Sequence, residues 1–297
     1  MTIDLTAATD FMAGHARTLD RRRFELLRGE TDNASGVLAA LDAYRNPDGG
    51  YGWGLEPDLR SPESQPAAAA HAFEVFENVA PATSPHAAVL CDWLDSVTLA
   101  DGGLPLAVPL TLAAGSAPWW ESSAASGSSL QITSVTAGAA QRVAARDPAV
   151  AEHPWLETAT QFCLDAIAAM DEPPFAYVLV FSLRFLDAVY ESRPEAAALM
   201  EKLAEHVPDD GNIRVSGGTE DEMLHPLDVA PEPDRPARQL YAPELIAADL
   251  DRLEALQQDD GGWIVDYMKV SPAGSLDWRG YATVRAVDIL RANGRLD

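Results

Sequence analysis

Lysine is nearly missing from this sequence: Lys202 and Lys269 are the only two, and every other basic residue is an arginine. Acidic residues outnumber basic ones by 46 to 21, leaving a formal charge of -25. A surface of that sign argues against nucleic acid or an anionic membrane as a main partner, because both are held by cationic side chains. Cysteine is scarce as well. Cys91 and Cys163 stand apart in apolar, helical surroundings with no CxxC spacing, which argues against a disulfide framework and a cysteine-built zinc site. No apolar run approaches the ~18 residues of a membrane span. The opening Met1-Thr2-Ile3-Asp4 has no basic stretch leading into an apolar one, as an export signal would. These absences point to a soluble, cytoplasmic protein without a transmembrane segment. Strand-like alternation of any length is also missing.

What the chain does have is 47% apolar residues, enough for a sizeable core, and a repeated loop. Asn46-Pro47-Asp48-Gly49-Gly50-Tyr51-Gly52-Trp53-Gly54 is echoed by Gln257-Gln258-Asp259-Asp260-Gly261-Gly262-Trp263. Reduced forms stand at Asp101-Gly102-Gly103 and Asp210-Gly211. The aspartates are 53, 109 and 50 residues apart, so the middle interval is about two periods. A fixed period of this size is the mark of stacked helical hairpins. In each loop Gly-Gly permits a sharp reversal, the aspartate bonds backbone N–H groups of the turn, and the aromatic buries a large apolar face.

The periodicity predicts helices over 10–28, 35–45, 66–79, 86–98, 130–145, 154–170, 174–190, 194–206, 243–257 and 276–293. Arg21-Arg22-Arg23 adds a basic patch to the first, expected to be a solvated face. Ala67 to Ala70 give the 66–79 helix a smooth side for close packing, which places it on an inner ring. The stretches 101–129 and 208–242 read as irregular. No charge block or linker divides the chain, so a single all-α domain over 1–297 is expected.

The two full loops resemble the Gln/Asp-Gly-Gly-Trp repeats of the squalene–hopene cyclase and protein prenyltransferase β-subunit superfamily. Gln65 and Asp277 each lie 15 residues beyond the second glycine of their loops, and Ser129-Leu130-Gln131 pairs with Ser275-Leu276-Asp277. The resemblance implies an (α/α) toroid of about five helical hairpins around an apolar cavity. It implies an isoprenoid-like hydrophobic ligand and, for an enzyme of this kind, metal-independent cyclisation or isomerisation by carboxylate proton transfer. The superfamily's Asp-x-Asp-Asp and Asp-Asp-x-x-Asp motifs are absent, as is its Asp, Cys and His zinc set, so neither a cofactor nor a metal is expected.

A carboxylate facing an apolar cavity has a raised pKa and can act as an acid. Asp277, Glu56 and Asp58 are the candidates, with Arg60 able to pair with one of the last two. His71, six residues beyond Gln65, is a candidate base. Asp277 is expected to open the last helix, where capping is the competing role. Trp53, Tyr51, Gln65, Trp119, Trp120 and Tyr281 are candidate substrate contacts, and Glu220 sits in a glycine-flanked turn that could fold over an opening. Two other readings stay open: a non-catalytic toroid serving as a binding or scaffold protein, and a carbohydrate-active (α/α) enzyme with opposed carboxylates and exposed tryptophans.

Overall fold

The computed structural model describes residues 3–123, 127–265 and 269–296. Its α-helices are α1 (Leu5–His15), α2 (Thr18–Leu27), α3 (Ala34–Leu41), α4 (Pro66–Asn78), α5 (Pro85–Val97), α6 (Pro118–Ser123), α7 (Leu130–Ala144), α8 (Pro148–Ala151), α9 (Pro154–Ala168), α10 (Ala176–Val189), α11 (Ala196–Ala204), α12 (Pro226–Val229), α13 (Pro243–Ala255) and α14 (Pro272–Ala292). The chain is mostly helical, as expected. One short antiparallel ladder joins β1 (Ile213–Arg214) to β2 (Met223–Leu224) in a stretch that reads as irregular.

Proline marks many helix starts. It occupies the first turn of α4, α5, α9, α13 and α14, where its missing N–H has no partner to lose. Serines cap three helices, with Ser84, Ser129 and Ser271 accepting N–H bonds at the starts of α5, α7 and α14. The helix expected over 10–28 is instead two. Ala16 and Arg17 take extended ψ values of 155° and 150°. Arg17 then reaches across to the carbonyls of Gly54 and Leu55 at 3.1 and 3.0 Å while pairing with Asp20 at 2.6 Å. Long-range bonds from one guanidinium thus hold the break.

The four repeat loops share one backbone device. Asp48, Asp101, Asp210 and Asp260 each accept, through Oδ1, the N–H two residues on. The glycine between is left-handed each time, with φ of 93° at Gly49, 91° at Gly102, 76° at Gly211 and 88° at Gly261. In the two full loops the aromatic is driven inward. Tyr51 is fully buried against Phe76. Trp263 is buried with its indole donating to the Leu253 carbonyl at 2.8 Å and its backbone N–H to Thr283 Oγ1 at 3.0 Å. Burying one such ring contributes on the order of 2–3 kcal/mol.

Helix packing follows a circuit. α2 touches α3, α4 and α14; α4 packs on α7, and α7 on α10; α10 meets α12, α12 meets α13, and α13 meets α14. Small residues set the close approaches. A Cβ on Gly138 of α7 would lie 3.2 Å from the Phe185 Cα of α10. The start of the chain also meets the last repeat loop. Asp4 N–H donates to Gln257 Oε1 at 2.9 Å, and Gln257 Nε2 returns a bond to the Asp4 carbonyl at 2.8 Å. No helix among the described residues is long and apolar enough to cross a membrane.

Candidate functional site

The Glu56-Pro57-Asp58 turn lies near the start of α14. Glu56 and Asp58 are both buried. Glu56 Oε1 accepts the Asp58 N–H at 3.1 Å, closing the turn. Asp58 Oδ2 accepts from the Trp278 indole at 2.8 Å, while its Oδ1 is buried with no hydrogen-bond partner among the described residues. Burial raises the Asp58 carboxyl to about 6 against the pull of the Trp278 bond, and neighbouring Glu56 pushes the same way as burial. Asp58 is therefore a buried carboxyl that takes up a proton near pH 6.

His71, on α4, sits between two carboxylates. Its Nε2 is 2.8 Å from Glu56 Oε2 and its Nδ1 is 3.2 Å from Glu74 Oε2. Burial alone would lower its pKa, but Glu74 and Glu56 outweigh burial and push it up to about 9. Burial would likewise raise Glu74, yet His71, with help from Arg23 and Arg184, draws it down to about 2. At neutral pH the ring is thus an imidazolium with both N–H groups donated. In that state it has no lone pair to accept a proton, and a role as general base requires it first to lose one, which the two carboxylates oppose. The other Glu74 oxygen accepts from the Tyr281 hydroxyl at 3.1 Å. The result is a hydrogen-bonded run from Glu56 through His71 and Glu74 to Tyr281.

That run ends on a cavity of about 300 Å³. Its lining comes from α2, α4, α7, α10, α14 and the 231–232 segment, and half of its side chains are charged, among them Arg23, Glu74, Arg142, Arg184 and Arg285, with the neutral Tyr281 hydroxyl beside them. The sequence reading expected an apolar cavity, and this one differs because arginines from four separate helices converge on it. Three are satisfied by neighbours. Arg142 holds both Glu77 oxygens, at 3.1 and 2.9 Å; Arg285 pairs with Asp228 at 2.9 Å; Arg23 donates to Asn78 at 2.9 Å and lies 5.6 Å over the Tyr281 ring. Arg184 has no hydrogen bond or ion pair among the described residues. Burial, together with Arg142 and Arg285, presses its pKa down. Glu77, Asn78 and Arg142 fall in the last turns of α4 and α7, so the cavity lies toward the C-terminal ends of these helices, where the backbone field favours cations.

The candidates read from sequence divide between two places. Tyr281 lines the cavity and His71 stands one hydrogen bond behind its wall. Glu56, Asp58, Gln65 and Asp277 gather toward the other ends of α4 and α14. Gln65 is fully buried and exchanges bonds with the Val108 backbone at 3.0 and 3.2 Å, which is a structural tie. Asp277 does not open its helix. α14 begins at Pro272 with Ser271 as cap, and Asp277 pairs with Arg60 at 2.6 Å from within the helix. Tyr51 is a core residue. Trp53 is 58% exposed, its indole bonded to Asn46 Oδ1 at 2.8 Å. Trp119 is exposed and Trp120 buried, and neither lines the cavity. Glu220 is exposed, while the buried carboxylate of that turn is Glu222, bonded by Tyr177 at 2.9 Å.

The cavity arginines were missed because no two share a motif. One signal was present: Arg184 is the only basic residue in the largely apolar α10, where Asp187 is the one other charge. Arg23, read as part of a solvated patch, is buried, while Arg22 beside it faces out and pairs with Glu25. Among the described residues no three of His, Cys, Asp and Glu stand together as metal ligands. No protein-family model matches the chain, and no curated protein is similar to it.

Proposed function

We propose that this chain is an (α/α) toroid that binds a small ionic organic molecule in the cavity between its helices. The observation that carries the reading is Arg184, a guanidinium without an ion pair among the described residues, on the wall of a cavity whose other arginines already have partners. A half-buried charge without a counterion is costly to keep and is relieved by an anionic group brought in from outside. The toroid is supported by the circuit of helix packing and by the bonds between Asp4 and Gln257. The volume is at the lower end for small-molecule sites, which run from about 300 to 1,000 Å³. An isoprenoid fits this lining only if it carries an ionic head, since a bare hydrocarbon would leave the arginines unanswered.

A second reading, proton transfer to the bound molecule, is favoured by the run Tyr281–Glu74–His71–Glu56, which ends with the Tyr281 hydroxyl on the cavity wall. Native mass spectrometry of the full chain, purified without dialysis and followed by aqueous and organic extraction, tests the proposal. The expected result is a bound polar or ionic small molecule, lost in Arg184→Gln. A purely hydrocarbon ligand, or an adduct unchanged in that variant, would count against it.

A further inference from the structure

We infer that the ligand of this cavity is a small zwitterion of the α-amino-acid type, its carboxylate on Arg184 and its ammonium group toward Glu232 and Asp288. The inference rests on the cavity being a ligand site and goes on to name the chemistry.

The argument is one of unmatched charges. Within the lining, Glu77 is matched by Arg142, Glu74 by His71, Arg285 by Asp228, and Arg23 by Asp20 at 3.7 Å. Three charged groups remain without an ion pair among the described residues: Arg184, and the carboxylates Glu232 and Asp288. They differ in depth. Arg184 is half-buried on α10, whereas Glu232 and Asp288 are exposed, so they stand at the mouth. A ligand that answers all three carries a negative group at its inner end and a positive group at its outer end. Bulk charge selects in the same direction. The protein is formally -25, and a free anion approaching a mouth with two carboxylates that have no ion pair among the described residues meets repulsion. A zwitterion has no net charge and meets no such barrier. The volume of about 300 Å³ suits a molecule of amino-acid size.

The test is isothermal titration calorimetry on the full chain with the common L-amino acids taken singly. Acetate, inorganic phosphate and methylammonium serve as probes that carry one charge type alone. The expected result is that at least one amino acid binds about tenfold more tightly than any single-charge probe. Arg184→Gln should weaken that binding by about tenfold, and Glu232→Gln with Asp288→Asn by several-fold, at unchanged thermal melting. Acetate or phosphate binding as tightly as every amino acid would overturn the zwitterion while leaving the cavity as an anion site. Amino-acid binding that ignores Arg184→Gln would overturn the assigned place. Failure of all probes, alongside an empty native mass spectrum, would overturn both this inference and the site beneath it.

Discussion

Arg60 and Asp277 meet at 2.6 Å although 217 positions separate them in the chain. Arg60 belongs to the loop after the first Gly-Gly turn, and Asp277 to the last helix. Beside them, Asp58 and Trp278 make the same connection at 2.8 Å. Two charged or polar contacts therefore latch α14 to the first repeat. Both partners of the ion pair are mostly buried, so Arg60→Ala is expected to lower unfolding free energy by about 1–2 kcal/mol. A double-mutant cycle with Asp277→Ala should return a coupling of about 1 kcal/mol. Urea unfolding of the four proteins measures it, and strictly additive losses would show that the pair contributes nothing of its own.

Two glycines with nearly the same backbone should differ widely in tolerance. Gly261 has φ 88°, and a Cβ there would lie 2.1 Å from the Ala7 carbonyl carbon and oxygen of α1. Gly217 has φ 82° and nothing within 4 Å of such a Cβ. Gly217→Ala bears backbone strain alone, about 1 kcal/mol. Gly261→Ala must also push the last repeat loop off the first helix, and a loss of more than about 3 kcal/mol is expected. Thermal melts of both variants decide the point. Equal losses would mean that contact between the last repeat loop and the first helix adds little.

The Gly-Gly loops were legible because their information is local. An aspartate, a left-handed glycine and a buried aromatic are neighbours in sequence, and Asp48 and Asp260 do in space what their order suggests. Most helix bounds were legible for the same reason, through apolar periodicity and the prolines at first turns. The break at Ala16–Arg17 was not, because its cause lies 37 residues away in the Gly54 carbonyl. The cavity was the least legible feature. Arg23, Arg142, Arg184 and Arg285 sit on four helices, and only packing brings them together. Sequence reasoning instead found carboxylates clustered in one short segment, Glu56 and Asp58, and so looked toward the opposite ends of the helices.

The His71 clamp carries a definite pH signature. In the folded protein the imidazolium persists to about pH 9, against an ordinary value of 6.5. The folded state therefore holds more protons across that window, so the contribution is complete below 6.5 and is lost as pH rises through 9. The slope is at most ~1.4 kcal/mol per pH unit for this single proton. Glu74, drawn down to about 2 from 4.5, acts at the other end, its contribution present above 4.5 and lost as pH falls toward 2. Unfolding free energies measured from pH 6 to 9.5 should fall in the wild type and stay flatter in His71→Gln. A His71 ring titrating near 6.5 by NMR would sink the clamp.

Asp58 works in the opposite sense to a paired carboxylate. Its folded value of about 6 lies above the ordinary 3.8. The folded state thus holds this proton more firmly than the unfolded chain, and ionising it weakens the fold as pH rises from 3.8 through 6. Asp58→Asn keeps an oxygen for the Trp278 indole and removes the buried charge. The variant should match the wild type at pH 4 and exceed it by about 1–2 kcal/mol at pH 8. Asp58→Ala should be destabilised at both, since the Trp278 N–H then loses its acceptor. Urea unfolding at the two pH values separates the cases. If Asp58→Asn is weaker than wild type at pH 8, the ionised carboxylate is held favourably, with the nearby start of α14 as the source of positive field. Asp58 would then ionise well below pH 6, which would remove it as an acid and leave Tyr281 as the proton-bearing group on the cavity wall.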